Sequence, residues 1–312
     1  MTIHNPYEDA FALSWFKGDL HIHSDASDGR ASLAQIRERL RECEFDFAAL
    51  ADHDRFCPPD ENGLPVLIGN SEMRSAEGGD VLTLFAEVPC VPGQSVQDII
   101  DRTRNAGGLP VFAHPRIGEF ETRKYHWSYP SNKLIDAYHD YLGMEVYTHN
   151  IGSGFQTAID RLDALWIARC RASPQPVGIW GFATSDAHDL NRIKPNVGIL
   201  VAVENVSEAA LRHAIEHGRF YSLADSKARF TEIRVKDGVL RVAARNARML
   251  RLYGCPRQEG AGERRLLGIT WAVDQNNVAI TYKLKGTEGF VRAEAADRDG
   301  NFIYANPLRI VA

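Results

Sequence analysis

The sequence predicts an α/β barrel followed by a small β-sandwich, on three observations. Short apolar runs alternate with amphipathic helical segments up to about residue 226, and those runs are apolar throughout, as strands covered on both faces are. His and acid clusters fall at the ends of those runs, the arrangement of barrel enzymes. From Lys227 the texture changes to β segments punctuated by Asp-Gly turns. The expected division is therefore 1–226 for the barrel with its N-terminal lead-in and 227–312 for the β-sandwich.

Residues 1 to 16, with Pro6, Tyr7, Phe11, Trp15 and Phe16, read as an irregular lead-in packed across the first strand. That strand runs into His21-Ile22-His23. Ala31 to Glu42 follows as a helix, with Leu33, Ile36 and Leu40 at helical spacing and Ser32 as its cap. Phe45 to Leu50, Pro65 to Gly69 and Val81 to Phe85 are short strands, the last entered by the turn Glu77-Gly78-Gly79-Asp80. Ser95 to Asn105 is helical through Val96, Ile99 and Ile100, and Gly107-Gly108 stop it. Leu109 to Ala113, Gly143 to Tyr147, Val177 to Ala183 and Val197 to Val203 supply further strands, with helices over Phe155 to Arg171 and Ser207 to His217. Ile117 to Pro130 has no period and reads as an active-site loop containing His126, Trp127 and Tyr129. In the last part, strands are expected at 231–235, 239–243, 249–253, 278–284 and 290–295, with hairpin signals at Asp237-Gly238 and Asp299-Gly300.

With 312 residues, 44% hydrophobic and 25% charged, the chain has the composition of a soluble globular protein able to bury a large core. A net charge of −5 argues against a surface devoted to extended nucleic acid and favours a small-molecule substrate. The first residues lack a basic and an apolar leader region, and no run approaches a membrane span, so a cytoplasmic protein without membrane contact is expected. Cys43, Cys57, Cys90, Cys170 and Cys255 are odd in number and far apart, which suits free structural thiols. Oligomeric state is not legible.

Two histidines two apart on an extended segment point to one side of it. Alone, His21 and His23 fit two surface histidines as well as two ligands of one metal. Recurrence decides. Asp28 follows with Gly29 to turn the loop, then Asp52-His53-Asp54, Glu72, His114 and Asp186-Ala187-His188, each at or just past the end of an apolar run. Independent structural residues have no reason to gather at one end of a barrel. Imidazoles and carboxylates without thiolates favour two or three borderline divalent ions such as Mn²⁺, Zn²⁺ or Fe²⁺. Glu72 has the chemistry to bridge two of them. Adjacent ions suit hydrolysis, because they lower the pKa of a bridging water and neutralise substrate oxygens.

The His-x-His with Ser-Asp-Gly, the Asp-His-Asp, the Glu after an apolar strand, the Ala-His-Pro and the Ser-Asp-Ala-His resemble the polymerase-and-histidinol-phosphatase (PHP) superfamily, in order, over residues 17 to 200. The resemblance implies a distorted (β/α)7 TIM-like barrel with a di- or trinuclear centre held by His21, His23, Asp28, His53, Glu72, His114, Asp186 and His188. Many members carry a His shortly after the Glu motif. This chain has Gly79-Asp80, so either Asp80 substitutes as a ligand or that metal position is weakened. His149 lies near where some members place another ligand, and the roles of ligand, proton donor and bystander are all open to it. Arg116 beside His114 suits a phosphate oxygen, as do Arg192, Lys194 and Lys17 more weakly.

The leading expectation is a metal-dependent phosphoesterase for a small phosphorylated metabolite or nucleotide. A metal-bridging hydroxide attacks phosphorus, the ions with Arg116 stabilise the equatorial charge, and a His such as His149, or a metal-bound water, protonates the leaving group. The lead-in and β-domain are also similar to a branch of the superfamily that includes carbamate and aryl-ester hydrolases, which makes a carboxylic or carbamic ester hydrolase the alternative. A non-catalytic metal-binding domain ranks last, since almost all the ligand positions are filled.

Overall fold

Two sheets meet end to end around His21, and the strands that form them follow from short apolar segments and well-capped helices. The computed structural model describes residues 1–115, 138–148, 162, 163, 166, 178–256, 265–272 and 277–311. The expected loop over 117–130 and nearly all of the expected helix over 155–171 lie outside the described residues.

The lead-in, expected to be irregular, contributes β1 (Thr2–His4) and one 3-10 turn at Ala10–Ala12 before β2 (Ser14–Ile22). β3 (Phe47–Leu50) and β4 (Val66–Ile68) extend β2 in parallel. Between β2 and β3 runs α1 (Leu33–Glu42). Ser32 accepts from Gln35 N and the Gln35 side chain returns to Ser32 N, a capping box that fixes the start. Ile36 and Leu40 are buried by α1, whereas Leu33, which the helical period assigns to the same face, is exposed.

The second sheet contains β5 (Glu72–Arg74), β6 (Asp80–Leu84), β7 (Leu109–Phe112), β8 (Gly143–Tyr147) and β9 (Trp180–Ala183) in that order. α2 (Val96–Asn105), capped by Ser95 with Asp98, buries Val96, Ile99 and Ile100. The expectation of a wholly parallel sheet fails at β6, which runs antiparallel to β5 and β7. Its cause is the turn after β5, where Ser75 N donates to Gly79 O at 3.1 Å. A parallel neighbour needs a crossover of a dozen or more residues, and this turn is far shorter.

Backbone bonds join the two sheets. Ile22 pairs in parallel with Ala187, and His53 pairs with Glu72. His23 N donates to Ala187 O at 2.9 Å, while β6 reaches the segment between β4 and β5 through Thr83 N to Ser71 O at 2.9 Å. The ends of β2, β3, β7 and β9 thereby converge on the start of β5.

β10 (Val197–Val203), expected to continue the parallel pattern, instead pairs antiparallel with the N-terminal half of β2. Gly198 makes that approach possible: it has φ 139°, and a Cβ there would lie 2.3 Å from Gly18 O. α3 (Glu208–Glu216) then leads to β11 (Phe220–Ala224), antiparallel to β10.

The remaining strands are β12 (Arg229–Lys236), β13 (Val239–Arg245), β14 (Met249–Pro256), β15 (Arg265–Trp271), β16 (Asn277–Lys283), β17 (Glu288–Ala296), β18 (Phe302–Ala305) and β19 (Leu308–Val311). β12, β13 and β16 form a three-stranded sheet, with the expected turn at Asp237 (φ 51°) and Gly238 (φ 70°). The others extend the sheet of β2 by way of β18 on β11, and β1 closes on β19. Phe230, Ile233 and Val242 of the three-stranded sheet share one apolar cluster with Leu250, Val291, Leu200 and Tyr7. Within β17, buried Arg292 donates to both oxygens of Asp163, at 2.9 and 2.8 Å, and to Glu294 at 2.7 Å. Among the described residues no helix is long and apolar enough to cross a membrane.

Candidate metal centre

Each of the eight residues that the sequence marks as ligands reaches the same end of the joined sheets. His21 is in the last turn of pleat of β2 and His23 just beyond it, with Ile22 between them buried on the opposite side. His53 follows β3, Glu72 opens β5, His114 follows β7, and Asp186 and His188 follow β9. Asp28 is brought back by the loop after β2. Asp52 folds that loop by accepting from Ser24 N at 2.8 Å, Ser24 Oγ at 2.6 Å and Ser27 Oγ at 2.7 Å. Gly29 completes the turn, since a Cβ there would lie 2.3 Å from the His23 carbonyl oxygen.

The donors form three overlapping groups, each compact enough for one ion: His21, Glu72 and His114; His21, His23 and Asp186; and His23, Asp28, His53 and His188. The first is sealed from solvent, whereas the third opens outward at Asp28, whose side chain is 44% exposed. Glu72 occupies the middle. Its Oε2 is 3.3 Å from His21 Nε2, 3.3 Å from His23 Nε2 and 3.2 Å from His53 Nδ1. That buried oxygen nevertheless makes no hydrogen bond of ordinary geometry, while Oε1 lies 2.8 Å from His114 Nε2. A buried carboxylate oxygen ringed by three imidazole nitrogens at non-bonding angles suits a cation between them. His114 (φ 23°) and Asp186 (φ 47°) both hold left-handed backbone conformations, strain of the kind found at functional sites.

The carboxylates favour protonation of the innermost imidazoles. Burial alone lowers the His21 pKa, but the Glu145, Glu72 and Asp186 carboxylates outweigh it and hold it well above the usual value. For His114 burial is again overcome, by the Glu72 contact, and the pKa is raised to about 9. Burial disfavours ionised Glu72, yet His21, His114 and His23 keep it well below the carboxylate range. Histidines whose protonation the carboxylates favour offset the buried negative charge, and divalent ions can take the place of those protons.

Glu145, which belongs to none of the sequence motifs, contacts two of the candidate ligands. It lies in mid-strand on β8, fully buried, and accepts from His21 Nδ1 at 2.8 Å, Thr184 Oγ1 at 2.6 Å and His114 N at 2.5 Å. The signal was present: a carboxylate inside the apolar run Gly143 to Tyr147 must be paired if the run is buried.

The cationic candidates divide. Arg116 and His149 lie outside the described residues. Lys17 is at the other end of β2, where it donates to Cys43 O at 2.5 Å and Pro195 O at 3.0 Å and sits over the Phe45 ring, so its role is structural. Lys194 contacts Asp225 at 3.0 Å and Arg192 contacts Asp189 at 3.8 Å, both partly exposed. Asp80, at the head of β6, is buried beside the centre but belongs to none of the three donor groups. Burial, together with the nearby Glu72 charge, pushes its pKa up to about 7.

An α/β fold with five imidazoles and three carboxylates gathered at converging strand ends defines a protein able to bind divalent metal ions. No protein-family model matches the chain, and no curated protein matches it. Solved structures do resemble it. A two-domain protein of Bacteroides vulgatus, described as containing a predicted PHP-like metal-dependent phosphoesterase, has 14% identity, covers 95% of each chain and gives a TM-score of 0.48. A candidate metal-dependent phosphoesterase of Bifidobacterium adolescentis has 17% identity over 55% of this chain and 87% of its own, with a TM-score of 0.37. An amidohydrolase of Chromobacterium violaceum, with bound sulfate and no metal, has 15% identity over 58% and 90%, with a TM-score of 0.38.

Proposed function

We propose that the chain is a metal-dependent hydrolase of the PHP kind, and within that class a phosphoesterase acting on a small phosphorylated metabolite or nucleotide. The observation that carries this reading is the position of Glu72 Oε2, shared by three imidazoles at the junction of the donor groups. Two or three ions, Mn²⁺, Zn²⁺ or Fe²⁺, fit the donor chemistry, and two or more adjacent positive charges suit a phosphate group better than a neutral ester. We read the eight strands β2 to β9 as the distorted barrel of that class, supported by the bridges at Ile22 and His53. The segment 227–312 is its appended β-domain.

His21, His23, Asp28, His53, Glu72, His114, Asp186 and His188 would hold the ions. Once bound, these supply an acidified water and offset the charge on substrate oxygens. Glu145 accepts a hydrogen bond from His21 Nδ1, which leaves the Nε2 lone pair to face Glu72, His23 and Asp186 as a ligand. By also accepting from His114 N, Glu145 sets the left-handed turn that aims His114 at Glu72. Asp52 keeps Asp28 at the open side, where substrate arrives. We assign Arg116 to the substrate anion and His149 to protonation of the leaving group, with Arg192 and Lys194 as further anion contacts.

The test is a substrate panel on purified protein reconstituted with Mn²⁺. Hydrolysis of phosphomonoesters or diesters that is lost in His21→Ala and His188→Ala is the expected result. Hydrolysis of aryl esters or carbamates with no phosphoester turnover would replace this reading with the ester hydrolase. No hydrolysis in any metal form would leave a binding domain.

A further inference from the structure

Arg74 stands at the rim of the proposed metal centre and is placed there by the centre itself. It lies two residues after Glu72 on β5, so the two side chains leave the same face of the strand, and Met73 between them is buried in the core on the other face. Asp54, the residue after His53, clamps it: Arg74 N donates to Asp54 Oδ1 at 3.0 Å and Arg74 Nε to Asp54 Oδ2 at 2.9 Å. Asp54 is fixed in turn by its left-handed backbone (φ 53°) and by its N donating to Glu72 O at 2.9 Å. The turn that presents one ligand and the strand that presents another thus hold the guanidinium between them.

An exposed Arg–Asp pair is ordinarily worth little and says little. This one differs in what it leaves unused. The clamp engages Nε alone, and among the described residues neither terminal nitrogen of Arg74 makes a hydrogen bond. Its side chain is 50% exposed, yet its charge is felt by Glu72, Asp80 and His53 below it. A guanidinium fixed through Nε offers its two terminal N–H groups as a fork suited to an oxyanion.

We propose that Arg74 binds an anionic group of the substrate, a phosphate under the function proposed above, through both terminal nitrogens, with Asp54 as the residue that positions it. This rests on the phosphoesterase reading and adds a residue outside the motifs. Arg74 supplies a contact formed when substrate docks, so it acts on binding more than on the chemical step.

The test is calorimetric titration of inorganic phosphate into Mn²⁺-loaded wild type, Arg74→Ala and Arg74→Lys, with metal content and melting temperature measured alongside. Loss of Arg74 should weaken phosphate binding by about tenfold or more, the scale of one charge-assisted contact. Metal content and melting temperature should stay at wild-type levels. Arg74→Lys should recover part of the affinity, as a point charge without the fork. With a phosphoester substrate, KM should rise while kcat changes little. Equal phosphate affinity in wild type and Arg74→Ala overturns the assignment and leaves the phosphoesterase reading standing, as does metal loss in Arg74→Ala. Wild type that binds no phosphate overturns both.

Discussion

Glu145 and His21 are bound to each other at 2.8 Å in a fully buried contact, and the same carboxylate accepts the backbone N–H of His114. Glutamine can replace one acceptor oxygen but not both, because its amide would face a donor with a donor. In Glu145→Gln, either His21 or His114 should lose its orientation. Metal affinity should fall about 10- to 100-fold, the usual effect of removing such a partner. Chelator competition measures it, and an affinity equal to wild type would show that Glu145 does not position the ligands.

Metal binding should release protons. In the metal-free protein the carboxylates hold His21 and His114 protonated above the usual histidine range, and each must give up that proton to coordinate. Apparent affinity should therefore climb as pH rises from about 6 to about 8. Titration in two buffers of different ionisation heat reports the release, and identical heats would contradict it.

Asp80→Asn separates a ligand from a neighbour. Asp80 lies outside the three donor groups, so the variant should keep the wild-type metal stoichiometry by elemental analysis. Its folded pKa, raised from 3.8 to about 7, also makes a stability prediction. Between those values the folded chain retains a proton that the unfolded chain has released, so this group's contribution declines as pH rises through the window. Urea unfolding of the metal-free proteins should show Asp80→Asn gaining on wild type at about pH 8 relative to about pH 5.

Arg292 is a buried cation of β17, held by Asp163 and Glu294. Arg292→Ala leaves two buried carboxylates short of their partner and should cost about 3–5 kcal/mol. Thermal unfolding measures this, and a melting temperature within a degree or so of wild type would show that water or repacking replaces the guanidinium.

The candidate ligands were legible because each is a polar residue at or just past the end of an apolar run, where the chain has no structural need for it. Ser32 was readable as a cap because a capping signal is local, and Ser95 caps its helix in the same way. Asp52 was seen as a flank of His53, but its grip on Ser24 and Ser27 depends on a loop closing back across the sheet. Arg74 belongs to no motif, and its relation to Asp54 exists only after β3 and β5 meet. The reversal of β6 was implicit in the short turn before it, and the placement of β10 was not: an apolar strand fits either edge of β2, and the contact between Gly18 and Gly198 that admits it joins distant parts of the sequence.

The pairing of β1 with β19 bears on how the molecule comes together in time. Ile3 pairs with Ile310 across nearly the whole described sequence, so β1 must wait for a strand made far later while the candidate metal-binding end can already assemble. Contacts so far apart in sequence form slowly. Until they do, β19 offers an unguarded edge, and chains truncated before Leu308, which leave the β19 side of β17 open instead, should aggregate more readily than the full sequence.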